Sequence, residues 1–553
     1  MSKYGKGVLV LALAVTGCGA AGQPKGTSGS PPATSSPPPA ASTPAPPIPS
    51  ASTPDPGTSP PGERSAGGVL GARPLSVGKG VTVELLALDR VSPQRVVARW
   101  RLRNDLDRDH EFGATLTIPW NTPLLHSNSI GGVSLVDGKY GRRHLPLGYV
   151  GGDCLCTRSW PRVKAHSTYD LVAVFPAPPA DVTHVDVLFG PAPPFLDIPL
   201  GTAPPEPLRV TEGSDEPVDP LSAGAGEPQV LRLVNQVEET AKARDDDGER
   251  VSVRLSADVL FAVDKAELDP RARAVLKEVA SEIDQSGGDT VTIEGHADTT
   301  GTDAVNDPLS ARRARSVETA LRRLVTRSGL TYRSRGYGSR RPIAPNNEEE
   351  GRRLNRRVTV IFTRPRPAGP GNPSASPTAS APVSPSSPSA SSGAQASTPP
   401  PGANTAELPV LATASAGTPP WIAKNSWPKR AEVDINELRC DAGGYVTLTW
   451  TIRNDDDATI NAWSSSYDWF SVYAEASTSA AALVSGERRY RAVRDADHNS
   501  SLGPNLLSTP YDQYMVEKGE QYTLWAMFKP PAGLSHVTVQ IPGFEPVPDV
   551  PIS

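Results

Sequence analysis

VTIEGHADTTGTDAVNDPLSARRARSVETALRRLV, residues 291–325, changes its hydrophobic period partway along, and that change decides the fold. Over 291–295 (VTIEG) apolar and polar residues alternate, as a half-buried strand requires. A polar loop follows. Leu309, Ala314, Val317, Leu321, Leu324 and Val325 then fall on one face of a helix that ends by Gly329. Working outward, RVSVRL (250–255) alternates as a strand and leads into DVLFAVDKAELDP (258–270). Asp269 is placed to cap a helix with Pro270 at its first position. Val275, Leu276, Val279, Ala280 and Ile283 share one face of it, and Gly287-Gly288 stop it. YRSRGYG (332–338) and NRRVTVIFT (355–363) read as closing strands. This β-α-β-α-β-β order predicts an α+β domain over 227–365, with two helices laid on one face of a mixed sheet.

On either side of that domain the chain repeats itself. RVVARWRLRND (95–105) parallels YVTLTWTIRND (445–455), matching Trp100 to Trp450 and Asn104-Asp105 to Asn454-Asp455. STYDLVAVFPAPP (167–179) parallels EQYTLWAMFKPP (520–531), and THVDVLFG (183–190) parallels SHVTVQIPG (535–543), setting His184 against His536. Both copies alternate with a period of two and are punctuated by Pro, Gly and Asp. Two homologous all-β, immunoglobulin-like sandwiches are therefore expected, at 69–207 and 419–553. Asn-Asp after the strand reads as a turn in which the side chains cap their own backbone, with a ligand loop as the alternative. The two histidines read as packing residues. Trp463, Tyr467, Trp469 and Phe470 read as core, with an aromatic sugar-binding face as the alternative.

The connecting stretches have a different composition. The 553-residue chain holds 60 Pro and 48 Gly, about a fifth of its length, well above the roughly one-eighth of an average protein. The excess sits in tracts rich in Pro, Ser, Thr and Ala over 18–68 and 366–418, with a short linker at 208–226. Such segments lack apolar material to bury and read as disordered, extended spacers. At about 3.1 Å per residue, the first would reach on the order of 100–150 Å. With 55 Lys+Arg against 60 Asp+Glu, the net charge of −5 argues against a nucleic-acid binder.

The amino terminus sets the expected compartment. Lys3 and Lys6 precede the apolar run VLVLALAV (8–15), about half the length of a membrane span. Val15-Thr16-Gly17-Cys18 then resembles a bacterial lipoprotein signal. The expectation is a signal peptide at 1–17, lipidation of Cys18, and a membrane partner reached through two acyl chains. Of Cys154, Cys156 and Cys440, at least one stays unpaired within an exported monomer. The first two read as packing thiols or a local disulfide; a metal site with Asp153 and His166 is the weaker alternative, because the spacing fits no zinc pattern well.

Five pieces of the middle domain resemble the OmpA-like peptidoglycan-binding family: FAVDKAEL (261–268), EGHADTTGT (294–302), NDPLSARRARSV (306–317), RGYGSRRPIAPN (335–346) and EEGRRLNRRVTV (349–360). They stand in the family's order and spacing. The resemblance implies that Asp298 and Arg313 take opposite ends of a zwitterion, the diaminopimelate side chain of a stem peptide. It implies further that Asn306 and Leu309 shape that pocket, that Asn355 and Arg356 close it, and that Thr299 and Thr300 add loop donors. A carboxylate for the ammonium and a planar guanidinium for the carboxylate suit such a ligand. The alternative is that Asp298 and Arg313 pair with each other in a scaffold that has lost binding. The family often carries an acid where this chain has Ala262, leaving Asp264 alone in that loop. The arginine-dense run from Arg312 to Arg357 reads mostly as a solvated face.

No nucleophile elbow, HExxH helix or supported cysteine–histidine set is present, and in the resembled family His296 is structural. The expectation is a non-enzymatic protein without cofactor or resident metal, lipid-anchored in the cell envelope and gripping peptidoglycan. The alternative is an exported adaptor whose sandwiches bind another protein or a polysaccharide. The Ala/Arg/Pro/Gly bias looks like high-GC Gram-positive bacteria, which would place the lipid on the outer face of the cytoplasmic membrane.

Overall fold

The computed structural model describes residues 68–76, 80–111, 130–148, 154–157, 162–208, 218–221, 228–364, 404–418, 427–462, 478–496, 501–504 and 515–553. The signal peptide, Cys18, Asp153, residues 18–67 and 366–403 of the proline-rich tracts, and Trp463, Tyr467, Trp469 and Phe470 lie outside these residues. The rest is mostly sheet with few helices, and Ala66–Ser553 forms one compact unit.

In the middle domain the sheet runs Val230–Glu238, Lys242–Asp246, Arg250–Ser256, Arg357–Thr363, Thr290–Gly295, Thr331–Gly336. Every pairing is antiparallel except the last, which is parallel. Val251, Val253, Leu255, Val291, Ile293, Val358, Val360 and Phe362 line one face. They pack against Leu276, Val279 and Ile283 of the Ala272–Asp284 helix and Ala314, Val317 and Leu321 of the Asp303–Leu324 helix. The expected β-α-β-α-β-β core is therefore present, with three differences. The first two strands add a hairpin that the sequence reading left unassigned. The closing strand starts at Arg357 because 349–355 is helical. Asp269 acts one turn early: its carboxylate accepts Arg271 N at 2.9 Å and its carbonyl accepts Ala272 N at 2.9 Å, so the helix begins at Ala272. Gly295 is required where strand meets helix, since a Cβ there would run into the Ser310 carbonyl.

The flanking copies share most of their strands. In each, four antiparallel strands (71–74, 81–92, 95–104 and 167–176; 412–415, 431–440, 446–454 and 521–528) form a sheet that is joined to a second sheet around one apolar core, and in the first copy Gly201–Thr202 adds a fifth, parallel strand. Even the bulge is shared, falling between Leu85 and Ala87 and between Ile435 and Glu437. Trp100 and Trp450 are fully buried at equivalent positions. The Asn-Asp turns form as expected: Asn104 Oδ1 accepts Leu106 N and Asn454 Oδ1 accepts Asp456 N, each at 3.0 Å. Both amides also donate across the fold, to Val163 O and Val516 O. Cys154 and Cys156 form a disulfide, while Cys440 is free and exposed. His166 Nε2 faces Asp107 Oδ1 at 2.9 Å, not the cysteines. His184 and His536 do occupy matching strand starts, but both are exposed beside a hydroxyl instead of packed.

The boundary drawn at 418 needs correcting. Residues 404–418 are not spacer: Ala412–Ser415 pairs antiparallel with Ala431–Cys440, as Gly71–Pro74 does with Val81–Ser92. Its small hydroxyl-bearing residues resemble the tract before it, yet they alternate and lie on a neighbouring strand. Nor do the two copies hang separately. Strand Val230–Glu238 of the middle domain pairs with Arg142–His144 of the first copy and with Arg488–Arg491 and Arg494–Asp495 of the second. A shared apolar cluster joins Val136 and Leu188, Leu233, and Tyr445, Val493, Trp525 and Met527. Gly138 and Gly443 touch across this junction, where a Cβ on either would meet the other's Cα within 2.7 Å.

Two buried carboxyls meet at the same junction. Asp186 and Asp441 interact with each other electrostatically, with Asp197 and Lys529 alongside. Burial, and then Asp441, hold the Asp186 carboxyl well above the usual carboxylate range, and burial raises Asp441 as well. A raised carboxyl contributes stability that is complete below its unfolded value of about 3.9 and is lost as pH rises through the folded value. Asp186→Asn is therefore expected to stabilise the unit by about 1–3 kcal/mol at a pH near 8, with little effect near pH 4. Denaturant unfolding at both pH values checks this; a variant less stable at pH 8 would contradict a raised Asp186 carboxyl.

Candidate functional site

Asp298 lies in the loop that leaves strand Thr290–Gly295, and Arg313 sits about three turns into the Asp303–Leu324 helix. The helix starts at Asp303, well before Leu309, so Arg313 is mid-helix and not in the first turns. Both side chains are nine-tenths or more buried, at 4% and 7% exposure. Asn306 ties loop to helix, its amide donating to Thr300 O at 3.0 Å and Asp298 O at 3.3 Å. Leu309 is buried one turn further along the same helix. Thr299 is exposed, and its backbone N–H donates to Asn346 Oδ1 at 3.2 Å.

Asp298 and Arg313 do not pair with each other. Asp298 Oδ1 accepts Thr300 N at 2.9 Å and the Thr300 hydroxyl, while Oδ2 accepts Arg356 Nη1 at 2.8 Å. Burial alone would raise this carboxyl, but the Thr300 hydroxyl and the Arg356 guanidinium together hold it below the usual range. It is ionised at neutral pH. Arg313 donates through Nε to Lys265 O at 2.9 Å and stacks over the Phe261 ring, 5.1 Å from its centroid. Among the described residues, no carboxylate lies within ion-pair distance of Arg313, and its two Nη groups have no protein acceptor. Burial lowers its pKa; Asp258 and then Asp264 favour its charge from further off.

Arg356 is a buttress. Besides Asp298 it holds Asp258, through Nε at 3.0 Å and Nη2 at 2.8 Å, and Glu349, through Nη2 at 2.8 Å. Its guanidinium is thus surrounded by three carboxylates, which raise its pKa, Asp258 most of all. Asp258 and Glu349 were not anticipated from sequence. Their signal is weak, since each is an unremarkable acid on a short helix, but Asp258 together with Asp264 supplies negative charge that favours the Arg313 guanidinium. Asn355 is fully buried and pins a loop: its Oδ1 accepts Ile343 N at 2.7 Å and Ala344 N at 3.1 Å, and its Nδ2 donates to Ala344 O at 2.8 Å. The structure therefore gathers Asp298, Arg313, Asn306, Leu309 and Arg356, while Asn355 supports the loop behind them.

His296 is buried against Tyr337, stacked with ring centroids 5.4 Å apart. Burial holds it neutral, against a weaker pull from Glu294. Most of the arginine-dense run is a solvated face, as expected, with Arg312, Arg315, Arg322 and Arg323 all exposed. Arg340 pairs with Asp307 and Arg353 with Glu350. Arg341 lies 3.8 Å over the Tyr337 ring, and Arg357 is buried.

The OmpA family model matches residues 260–356, which span every member of this cluster except Asp258. Outer membrane porin F of Pseudomonas aeruginosa is 41% identical over 106 residues, 19% of this chain and 30% of the porin. YfiB of Escherichia coli, by its name a candidate lipoprotein, is 35% identical over 116 residues, 21% of this chain and 71% of YfiB. The peptidoglycan-binding protein ArfA of Mycobacterium tuberculosis is 33% identical over 142 residues, 24% of this chain and 43% of ArfA. The chain thus spans about a third of the length of the porin and less than half of ArfA.

Proposed function

The chain belongs to the OmpA family through residues 260–356, and from that premise we propose that it is a non-enzymatic anchor that grips peptidoglycan by the diamino acid of its stem peptide. The observation that carries this reading is the open fork of Arg313. A guanidinium 7% exposed, with no protein carboxylate to neutralise it, is prepared for a carboxylate from outside. Asp298 stands ionised in the adjoining loop. A carboxylate offers about four lone-pair positions, and Thr300 and Arg356 leave capacity for an incoming ammonium. The two groups then clasp opposite ends of one zwitterion, with Asn306 keeping the loop that carries Asp298 against the helix that carries Arg313.

Around this site the reading continues outward. The signal-like amino terminus and Cys18 supply export and a lipid, the 18–68 tract supplies reach, and the flanking units are immunoglobulin-like sandwiches that share one body with the wall-binding domain. The similarity to outer membrane porin F and to the peptidoglycan-binding protein ArfA supports the location. The reading is tested by cosedimentation of the full mature chain with purified sacculi. Retention in the pellet that a diaminopimelate-bearing stem peptide competes away is expected. A chain that stays in the supernatant would refute it.

A further inference from the structure

On the sheet face turned away from the helices, Arg254 and Arg357 stand on adjacent strands, whose register sets Ser256 against Arg357 and Arg254 against Thr359. They line a cavity of about 520 Å³ between this sheet and the second flanking unit, with Arg353, Arg356, Arg489 and Arg491 on the other walls. The acids at the cavity are engaged: Glu238 lies 3.4 Å from Arg491, Glu239 lies 3.1 Å from Arg488, and Glu350 lies 2.5 Å from Arg353. Arg254 is paired too, with Asp245 at 3.1 Å. Arg357 is the exception. It is 7% exposed, its Nη groups reach only the Asn355 and Arg341 carbonyls at 3.4 and 3.1 Å, and its Nε is buried without a partner. Among the described residues, no carboxylate lies within ion-pair distance of it. A buried guanidinium without a counter-charge is costly unless something supplies one.

We propose that this cavity is an oxyanion site for a phosphate-bearing ligand, with Arg357 as the central donor and Arg254 and Arg491 on its walls. Planar guanidinium forks match phosphate oxygens in pairs. The volume falls in the range of small-ligand pockets, roughly 300–1,000 Å³, which leaves room for a substituent beyond the phosphate itself. Burial, and then Arg254, depress the Arg357 pKa, and the charge of a bound anion would favour the guanidinium against both. Neither Asp298 nor Arg313 lines this cavity, although Arg356 stands between the two sites, and the proposal does not depend on the wall-binding reading.

Calorimetric titration of the full mature chain tests it, with inorganic phosphate and dimethyl phosphate as probes at low, chloride-matched ionic strength. Saturable binding of at least one probe is expected. A preference for inorganic phosphate identifies a free phosphate as the occupant, and a preference for dimethyl phosphate identifies a phosphodiester. Arg357→Gln should weaken the preferred probe about tenfold or more while sacculus retention is unchanged. Should Arg357→Gln not fold, Arg254→Gln and Arg491→Gln carry the test, each expected to weaken binding severalfold. Absence of saturable binding for both probes, or unchanged affinity in every folded variant, would overturn the proposal.

Discussion

Arg313→Ala is expected to abolish retention on purified sacculi. Removing one partner of a buried, hydrogen-bonded charge pair costs about 2–5 kcal/mol, which is on the order of 30- to several-thousand-fold in affinity. The fold itself should barely notice. Within the protein Arg313 makes one hydrogen bond, to Lys265 O, and one stacking contact, with Phe261. Its loss also relieves a buried charge without a counter-ion, so unfolding stability should change by no more than about 1 kcal/mol. Asp298→Asn should lose binding similarly, because the amide attracts no ammonium. It also releases one of the three carboxylates on Arg356, so a loss of stability of about 1–2 kcal/mol should accompany it. Unchanged retention in the folded Arg313→Ala variant would remove that residue from the site.

The second large effect lies far from that pocket. Arg73 of the first flanking unit is completely buried, and its Nη1 meets Glu437 of the second unit at 2.9 and 3.1 Å. Its Nε donates to Pro194 O at 3.0 Å and its Nη2 reaches Asn404 Oδ1 at 3.4 Å. Asn404 in turn bonds both the N–H and the carbonyl of Leu196. Arg73→Ala would strand the Glu437 carboxylate in the interior, which costs about 3–5 kcal/mol. The expected result is a large drop in unfolding stability together with loosening of one unit from the other, read as protease sensitivity between them. Replacing both members, as in Arg73→Met with Glu437→Leu, should recover much of the loss, because no lone charge remains. If Arg73→Ala unfolded within about 1 kcal/mol of wild type, the two copies would not be held together here.

What could be read from the chain followed how local each feature is. The middle domain was legible because its strands alternate and its helices keep one apolar stripe, and the copies because Trp100 and Trp450 sit in matching strings. The hairpin at 230–246 was missed because Leu231 pairs with the first flanking copy and Leu233 and Val234 with the second, so no single period governs them. The 349–355 helix escaped because EEGRRLN carries almost no apolar face. Residues 404–418 were hidden by composition, small and hydroxyl-rich like the tract they follow. Of the site, Asp298 and Arg313 were visible through motif and chemistry. The three carboxylates on Arg356 were not, because Asp258 stands 98 positions away in the chain. The packing of the two copies was least legible, since Tyr445, Trp525 and Met527 are indistinguishable in sequence from residues that fill a single core.

The central claim is that Asp298 and Arg313 clasp a zwitterion. It is tested most directly by titrating the full mature chain with two stem peptides that differ only at the diamino acid. One carries diaminopimelate, with both ammonium and carboxylate on its side chain; the other carries lysine, with the ammonium alone. The account predicts binding of the first peptide that is tighter by at least about thirtyfold, worth roughly 2 kcal/mol, with that preference lost in Arg313→Ala. Equal affinity for both peptides would contradict it.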